Sequence, residues 1–250
     1  MLGGSLMLAQ EGFQSNLNLE GYWGERKYDG CRCLATKEGL FGRTLSPISS
    51  FPDISTPEAD NIFDGEIICD TFSHLQTRIH TKDNFKINLL SKHYPARFIA
   101  FDLLRLEGED LRQCPLSERR ELLESVSKPD GYELSERSFE PLKLFERVLE
   151  EGGEGVMLKK INSVYSGKRS PDWKKVKTWK ELDVEILDYT SEKRDISALV
   201  TDKGKVNFTG QNAWKEKILN HAKLFAKVIY LELTPQGVMR FPKLKEVYEK

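Results

Sequence analysis

The octapeptide Glu25-Arg26-Lys27-Tyr28-Asp29-Gly30-Cys31-Arg32 concentrates more chemistry than any other stretch of this 250-residue chain. It joins two β-prone runs, 22–28 and 31–36, and a third, 40–43, follows Lys37-Glu38-Gly39. Glycine supplies the positive φ that tight turns need, so the region reads as strands linked by turns. Lys27 then sits on a strand and faces the same side as neighbours two positions away. An ammonium is normally protonated and attacks nothing. Partial burial or nearby cations would lower its pKa and make it a nucleophile. In isolation, Lys-x-Asp-Gly is better explained as a strand running into an Asp-Gly turn.

Outward from this stretch, residues 62–69 and 96–106 read as strands. Residues 115–126 and 142–151 read as amphipathic helices, the second stopped by Gly152-Gly153, and 155–160 and 172–177 as further strands. After Thr178 short strands dominate (183–189, 198–202, 205–209, 228–234), with one helix at 213–222. A strand-rich segment with a single helix suits a small Greek-key barrel such as an OB-fold. The fold class expected is therefore α+β. Residues 1–180 would form a domain of mostly antiparallel sheets with helices, and 181–250 a small OB-fold β-barrel.

Composition narrows the class further. Thirty-eight Lys and Arg against 39 Asp and Glu give a net charge of −1, which argues against a tail-driven nucleic-acid binder but not a patterned one. No stretch approaches the ~18 apolar residues of a membrane span, and the apolar start stops at Gln10 without a basic lead. A cytoplasmic or nucleoid-associated protein is expected. Cys31, Cys33, Cys69 and Cys114 are scattered, as are His74, His80, His93 and His221, so reduced thiols and no soft-metal site are expected.

One motif is cheap, but a series in order is not. After Lys27-Tyr28-Asp29-Gly30 come Arg43, Phe51-Pro52-Asp53-Ile54, Asp64-Gly65-Glu66-Ile67 and Phe72-Ser73-His74-Leu75-Gln76-Thr77-Arg78. Ala100-Phe101-Asp102-Leu103-Leu104, Glu154-Gly155-Val156-Met157-Leu158-Lys159, Asp172-Trp173-Lys174-Lys175-Val176-Lys177 and Arg240-Phe241-Pro242 complete the set. In that order and spacing the chain resembles the ATP-dependent DNA ligases of the covalent nucleotidyltransferase superfamily, from about Met7 to its C-terminus.

The resemblance implies a function and a set of roles. Lys27 matches the lysine that attacks the α-phosphate of ATP and carries AMP, which then passes to the 5′-phosphate of a nick before the 3′-hydroxyl seals it. Glu66 and Glu154 match metal-binding carboxylates, and hard oxygens suit Mg²⁺ (or Mn²⁺). Lys175 and Lys177, two apart on a strand and so on one face, match lysines that contact the nucleotide phosphates. Phe101 matches the aromatic residue stacked on adenine. Plain alternation groups it with Ile99 and Leu103, opposite Phe98, Ala100 and Leu104, but both faces are apolar and periodicity alone leaves Phe101 undecided. Glu25 matches a residue at the adenine end, and Arg32 and Arg43 match arginines near the ribose and the nick phosphate. The partner implied is nicked duplex DNA, engaged by a monomer; a sliding-clamp partner is not readable.

The charge map is compatible with that substrate. Residues 159–180 hold eight basic residues and one acid, and 215–250 hold eight against four glutamates, while acids crowd 107–124 and 146–154. A basic stripe beside an acidic back is the footprint of a phosphate-tracking protein. Fewer than thirty residues precede Lys27, so the large helical DNA-binding domain of bigger ligases is not expected, and the C-terminal motif ends in a shortened Glu249-Lys250. A hinge is expected near 178–181. RNA ligases and mRNA-capping guanylyltransferases share the lysine and glutamates and stay as alternatives, as does a non-catalytic nick-binding module. Phe-Pro-Asp-Ile, Phe-Asp-Leu-Leu and Arg-Phe-Pro favour the DNA-ligase branch. NAD-dependent enzymes carry a four-cysteine zinc module, and no such pattern occurs here.

Overall fold

Alternating burial along short strands builds three sheets, and helices cover what the sheets leave apolar. The computed structural model describes residues 5–12, 19–192, 195–207, 214–215, 218–219, 223–231, 233–234 and 236–249. The chain divides into two compact units, Met1–Val176 and Lys177–Lys250.

In the first unit one sheet runs in the order β1 (Leu8–Glu11), β12 (Arg169–Lys177), β11 (Gly155–Lys160), β2 (Tyr22–Arg26), β10 (Arg137–Ser138). The other runs β5 (Pro47–Ile48), β4 (Gly39–Gly42), β3 (Cys31–Thr36), β6 (Ile62–Ile68), β7 (Arg97–Leu106), β8 (Glu109–Asp110), with β9 (Tyr132–Leu134) also on β7. The β1–β12 and β7–β9 pairs are parallel, whereas β2–β11, β3–β4, β3–β6 and β6–β7 are antiparallel. Among the described residues four helices flank them: α1 (Phe72–His80), α2 (Asn84–His93), α3 (Leu116–Ser125) and α4 (Pro141–Glu150). Thr71 and Asp83 cap α1 and α2 by accepting from the amides of His74 and Lys86. Gly152, at φ 71°, ends α4, and Gly153 N–H returns to Val148 O.

Three apolar clusters show the layering. Leu144, Phe145 and Val148 of α4 pack on Val156, Leu158 and Val176 of the first sheet. Leu75 of α1 and Leu123 of α3 pack on Cys33, Phe63, Ile67, Phe98 and Leu103 of the second. Between the sheets lie Met7, Leu34, Ile62, Leu104, Tyr165 and Trp173, with Phe101 packed against them. Each fully buried Leu, Ile or Phe contributes ~1.5–3 kcal/mol, so this middle layer clamps the sheets firmly together.

Two sequence expectations are corrected here. Asp29-Gly30 does not close a hairpin, because β2 and β3 belong to different sheets and the link carries the chain between them. Gly30 is needed there for space: a Cβ would lie 2.5 Å from Glu66 Cγ and from Ile67 O. Plain alternation along β7 also fails. Asp64 pairs with Asp102 but Gly65 with Ala100, so Phe101 is skipped, and Leu104 is skipped in the same way between Phe63–Leu103 and Ile62–Arg105. These bulges shift the phase. Leu103 joins Phe98 and Ala100 on the helix side, and Leu104 joins Phe101 between the sheets.

The second unit is an antiparallel sheet in the order β15 (Gly204–Asn207), β14 (Asp195–Thr201), β13 (Lys180–Glu192), β16 (Leu224–Tyr230), β17 (Lys243–Tyr248). In β16 Leu224, Ala226, Val228 and Tyr230 alternate inward onto Val184, Leu199, Val206 and Val247. β16 starts four residues before the expected 228, and β17 was not foreseen from its charged sequence. Of the helix expected at 213–222 only 214–215 and 218–219 are described, and they are helical, while the end of the 205–209 strand lies outside the described residues. Among the described residues no helix is long and apolar enough to cross a membrane.

Candidate active site

A cleft of about 230 Å³ opens in the first unit, lined from both of its sheets. Seven of its fifteen lining residues are Lys or Arg and two are Glu, so it is built for an anion. Lys27 stands one residue beyond β2, its backbone N–H fixed on Gly155 O at 2.9 Å. Its Nζ lies 2.5 Å from Glu154 Oε2, and both side chains are largely buried. The lysine is thus held at the cleft wall by a carboxylate partner from the loop before β11.

Glu66 and Arg32 face each other across the β3–β6 ladder, and both line the cleft. Burial, with the charges of Glu154 and Asp64 adding to it, pushes the Glu66 carboxyl up to about 8 against the pull of Arg32 and Lys27. Arg32 grips Asp64 with two bonds of 2.6 Å, reaches Met7 O at 3.2 Å, and lies over the rings of Phe101 and Trp173 at 4.8 and 5.6 Å. Burial opposes its charge, but the Asp64 carboxylate more than compensates and raises its pKa above the ordinary value. Arg43, just past β4, lines the rim.

The far end of the cleft is aromatic and cationic. Phe101 stands edge-on to Trp173, with ring centroids 6.1 Å apart. Lys159 extends between them, 4.4 Å from each ring, and donates to Glu25 Oε2 at 2.9 Å and Phe101 O at 3.3 Å. Burial lowers its pKa, and the Glu25 carboxylate works the other way. Glu25 is itself sequestered, accepting also from Trp23 Nε1 at 2.9 Å and Ser135 Oγ at 2.8 Å. The buried indole N–H of Trp173 has no hydrogen-bond partner among the described residues.

Of the residues singled out in the sequence, Glu25, Lys27, Arg32, Arg43, Glu66, Phe101 and Lys175 line this one cleft, and Glu154 reaches it through Lys27. Lys177 does not line it. The last residue of β12, it falls in the second unit, its Nζ 5.7 Å from the Trp179 ring and 5.0 Å from that of Phe241. Sequence reasoning passed over Lys159, Trp173 and Arg169, all cleft residues. Lys159 is two residues from Met157, which faces Glu25 across the β2–β11 ladder, a pairing that only the fold reveals.

The donor set fits a magnesium nucleotide. An aromatic ring, an unpartnered buried donor and a row of cations suit a base with phosphates. Glu66 and Glu154 offer hard oxygens, and among the described residues no three His, Cys, Asp or Glu converge. A dication there would complete its shell with phosphate oxygens and water, as Mg²⁺ does. The four cysteines are free thiols.

Two layered sheets enclose a lysine-bearing cationic cleft whose lining suits a nucleotide. Residues 6–177 match the family model described as the ATP dependent DNA ligase domain, and the chain belongs to that family. Among curated proteins, a DNA ligase of Saccharolobus islandicus is 34% identical over 203 residues, covering 71% of this chain and 32% of that protein. The bifunctional non-homologous end joining protein LigD of Bacillus subtilis is 32% identical over 216 residues, 72% of this chain and 35% of its own. This chain therefore spans about a third of the length of those relatives. Among solved structures, a Lig E DNA ligase superposes with a TM-score of 0.78 at 20% identity over 99% of this chain and all of that one. The Chlorella virus DNA ligase-adenylate superposes with a TM-score of 0.52 at 18% identity over 99% of each chain. These two likenesses concern the fold.

Proposed function

We propose that this chain seals nicks in duplex DNA with ATP, through a covalent lysyl-AMP intermediate. The observation that carries the reading is Lys27, held on Glu154 at the wall of a cationic cleft inside the segment that matches the ligase family. Glu154 is placed to take the proton that Lys27 Nζ must lose before it attacks. In the first step a bond forms from Nζ to the α-phosphorus of ATP, the bond to the bridging oxygen breaks, and pyrophosphate leaves with the electron pair. AMP then passes to the 5′-phosphate of the nick, and the 3′-hydroxyl displaces it. Splitting one condensation into displacements is the gain of covalent catalysis.

Bound Mg²⁺, held by Glu66 and Glu154, would neutralise charge building on the phosphoryl oxygens. Arg32, Arg43 and Lys175 supply fixed positive charge to the phosphates of ATP and nick, and Phe101 offers its face to adenine. Glu25, with its carboxylate already filled by Trp23, Ser135 and Lys159, acts by shaping the base end rather than through a free oxygen. Lys177 belongs to this reading only when nucleotide or DNA draws it from its aromatic neighbours. We further read residues 1–180 as the adenylation domain and 181–250 as an OB-fold, the protein working as a monomer on nicked DNA.

The test is incubation with α-labelled ATP, GTP or NAD and Mg²⁺, followed by nicked DNA or nicked RNA duplexes. Label from ATP alone, sealing of nicked DNA and loss of label in Lys27→Ala are expected. Labelling by GTP, or label retained by that variant, would overturn the proposal.

A further inference from the structure

The segment from Met7 to Glu11, which lines the cleft through Leu8 and Ala9, has no part in the chemistry above, yet three cleft cations end on it. Arg32 Nη2 donates to Met7 O at 3.2 Å, Arg169 Nη1 donates to Ala9 O, and Lys175 Nζ pairs with Glu11 Oε1 at 2.9 Å. The acceptors fall at positions 7, 9 and 11, one after another along β1 and the residue before it. The cations come from β3 and β12, in different sheets, so no single ladder sets their spacing. β1 does.

Tyr165 fastens this segment. Its hydroxyl accepts from Met7 N–H at 3.1 Å and donates to Asp64 Oδ2 at 2.7 Å, and Arg32 Nη2 lies 3.4 Å away. Asp64 is the carboxylate that grips Arg32. One hydroxyl, 4% exposed with its residue, thus ties the start of the strand to the carboxylate that anchors Arg32. Leu8 N–H donates to Lys168 O at 3.0 Å, and a Cβ on Gly167 would lie 2.6 Å from Ser5 O, so the 165–168 loop lies flush against the segment. Long cationic side chains lose much rotamer freedom on binding, and ordering them beforehand saves affinity.

We infer that residues 7–11 are a positioning strap for the nucleotide, which spaces Arg32, Arg169 and Lys175 through successive acceptors and is clasped by the Tyr165 hydroxyl. The inference rests on the reading that the cleft binds ATP. Tyr165 is a positioning residue: it acts through Asp64 and Met7.

The probe is α,β-methylene-ATP, whose equilibrium binding to the full chain is measured without turnover. Tyr165→Phe, which keeps the ring, weakens binding about tenfold, as expected for one hydrogen bond in a charged network, with little change in melting temperature. Tyr22→Phe removes a hydroxyl bond to Pro171 O in the same sheet and leaves binding unchanged. In the unaltered protein, the nucleotide slows amide hydrogen exchange in residues 5–12, because coupling between strap and ligand is reciprocal. Binding by Tyr165→Phe within about twofold of the parent would overturn the inference. So would exchange in 5–12 that ignores the nucleotide, a measurement that decides alone if the variant does not fold. A parent protein that binds no nucleotide refutes the functional reading itself, a different result from binding that ignores the strap.

Discussion

The first unit buries charge in two ways. Arg119 grips Asp102 with two bonds of 2.8 Å and also donates to Cys114 O and Ser163 O, both side chains being fully buried. Arg78, also fully buried, grips Asp53 and donates to Ser50 O and Tyr94 O, its guanidinium lying over Phe51, while Asp53 keeps 22% of its side-chain surface exposed. In the cleft, Lys27 and Glu154 keep 19% and 12% of their side-chain surface exposed, and Arg32 keeps 17%. The Arg119–Asp102 pair is shut, as is the Arg78 guanidinium, whereas both partners of the Lys27–Glu154 pair and the Arg32 guanidinium are open on one side. A shut pair holds segments together, whereas an open one has a face left for a ligand.

Substitutions should separate the two sets. Glu154→Ala removes the proposed proton acceptor and metal ligand and is expected to slow adenylation by ~10²–10⁴-fold in single-turnover labelling, with little change in melting temperature. Equal loss of rate and stability would place Glu154 with the scaffold. Arg119→Ala leaves Asp102 buried without its partner and is expected to cost ~3–5 kcal/mol in denaturant unfolding. An unchanged unfolding midpoint would break the comparison from the other side. Arg97→Ala cuts an exposed pair with Glu133, its side chains 49% and 48% exposed, and is expected to cost less than ~1 kcal/mol. A larger loss would mean that exposure does not rank these pairs.

The same contrast marks what was legible in the sequence. Lys27, Glu66 and Arg32 belong to short motifs whose chemistry is local, and most of their strands fall within a residue or two of the expected bounds. Phe51-Pro52-Asp53-Ile54 and Leu75-Gln76-Thr77-Arg78 stood in the same series, but Asp53 and Arg78 prove to be each other's partner. Order along the chain does not say which motif faces a ligand. Phe101 was undecidable because its facing depends on a bulge opposite Asp64 and Gly65, a pairing between distant segments. Lys159 was missed because a lysine two residues from an apolar one reads as solvated until β2 brings Glu25 beside it. The strap was out of reach for a simpler reason: two of its three acceptors are backbone carbonyls, which every residue carries.

The central claim is that Lys27 is the group that takes AMP. The direct measurement is peptide mapping by mass spectrometry after incubation with ATP and Mg²⁺. One AMP on the peptide containing Lys27, removed when nicked DNA is added, is the predicted result. AMP on any other residue, or none on a protein that nonetheless seals nicks, would contradict it.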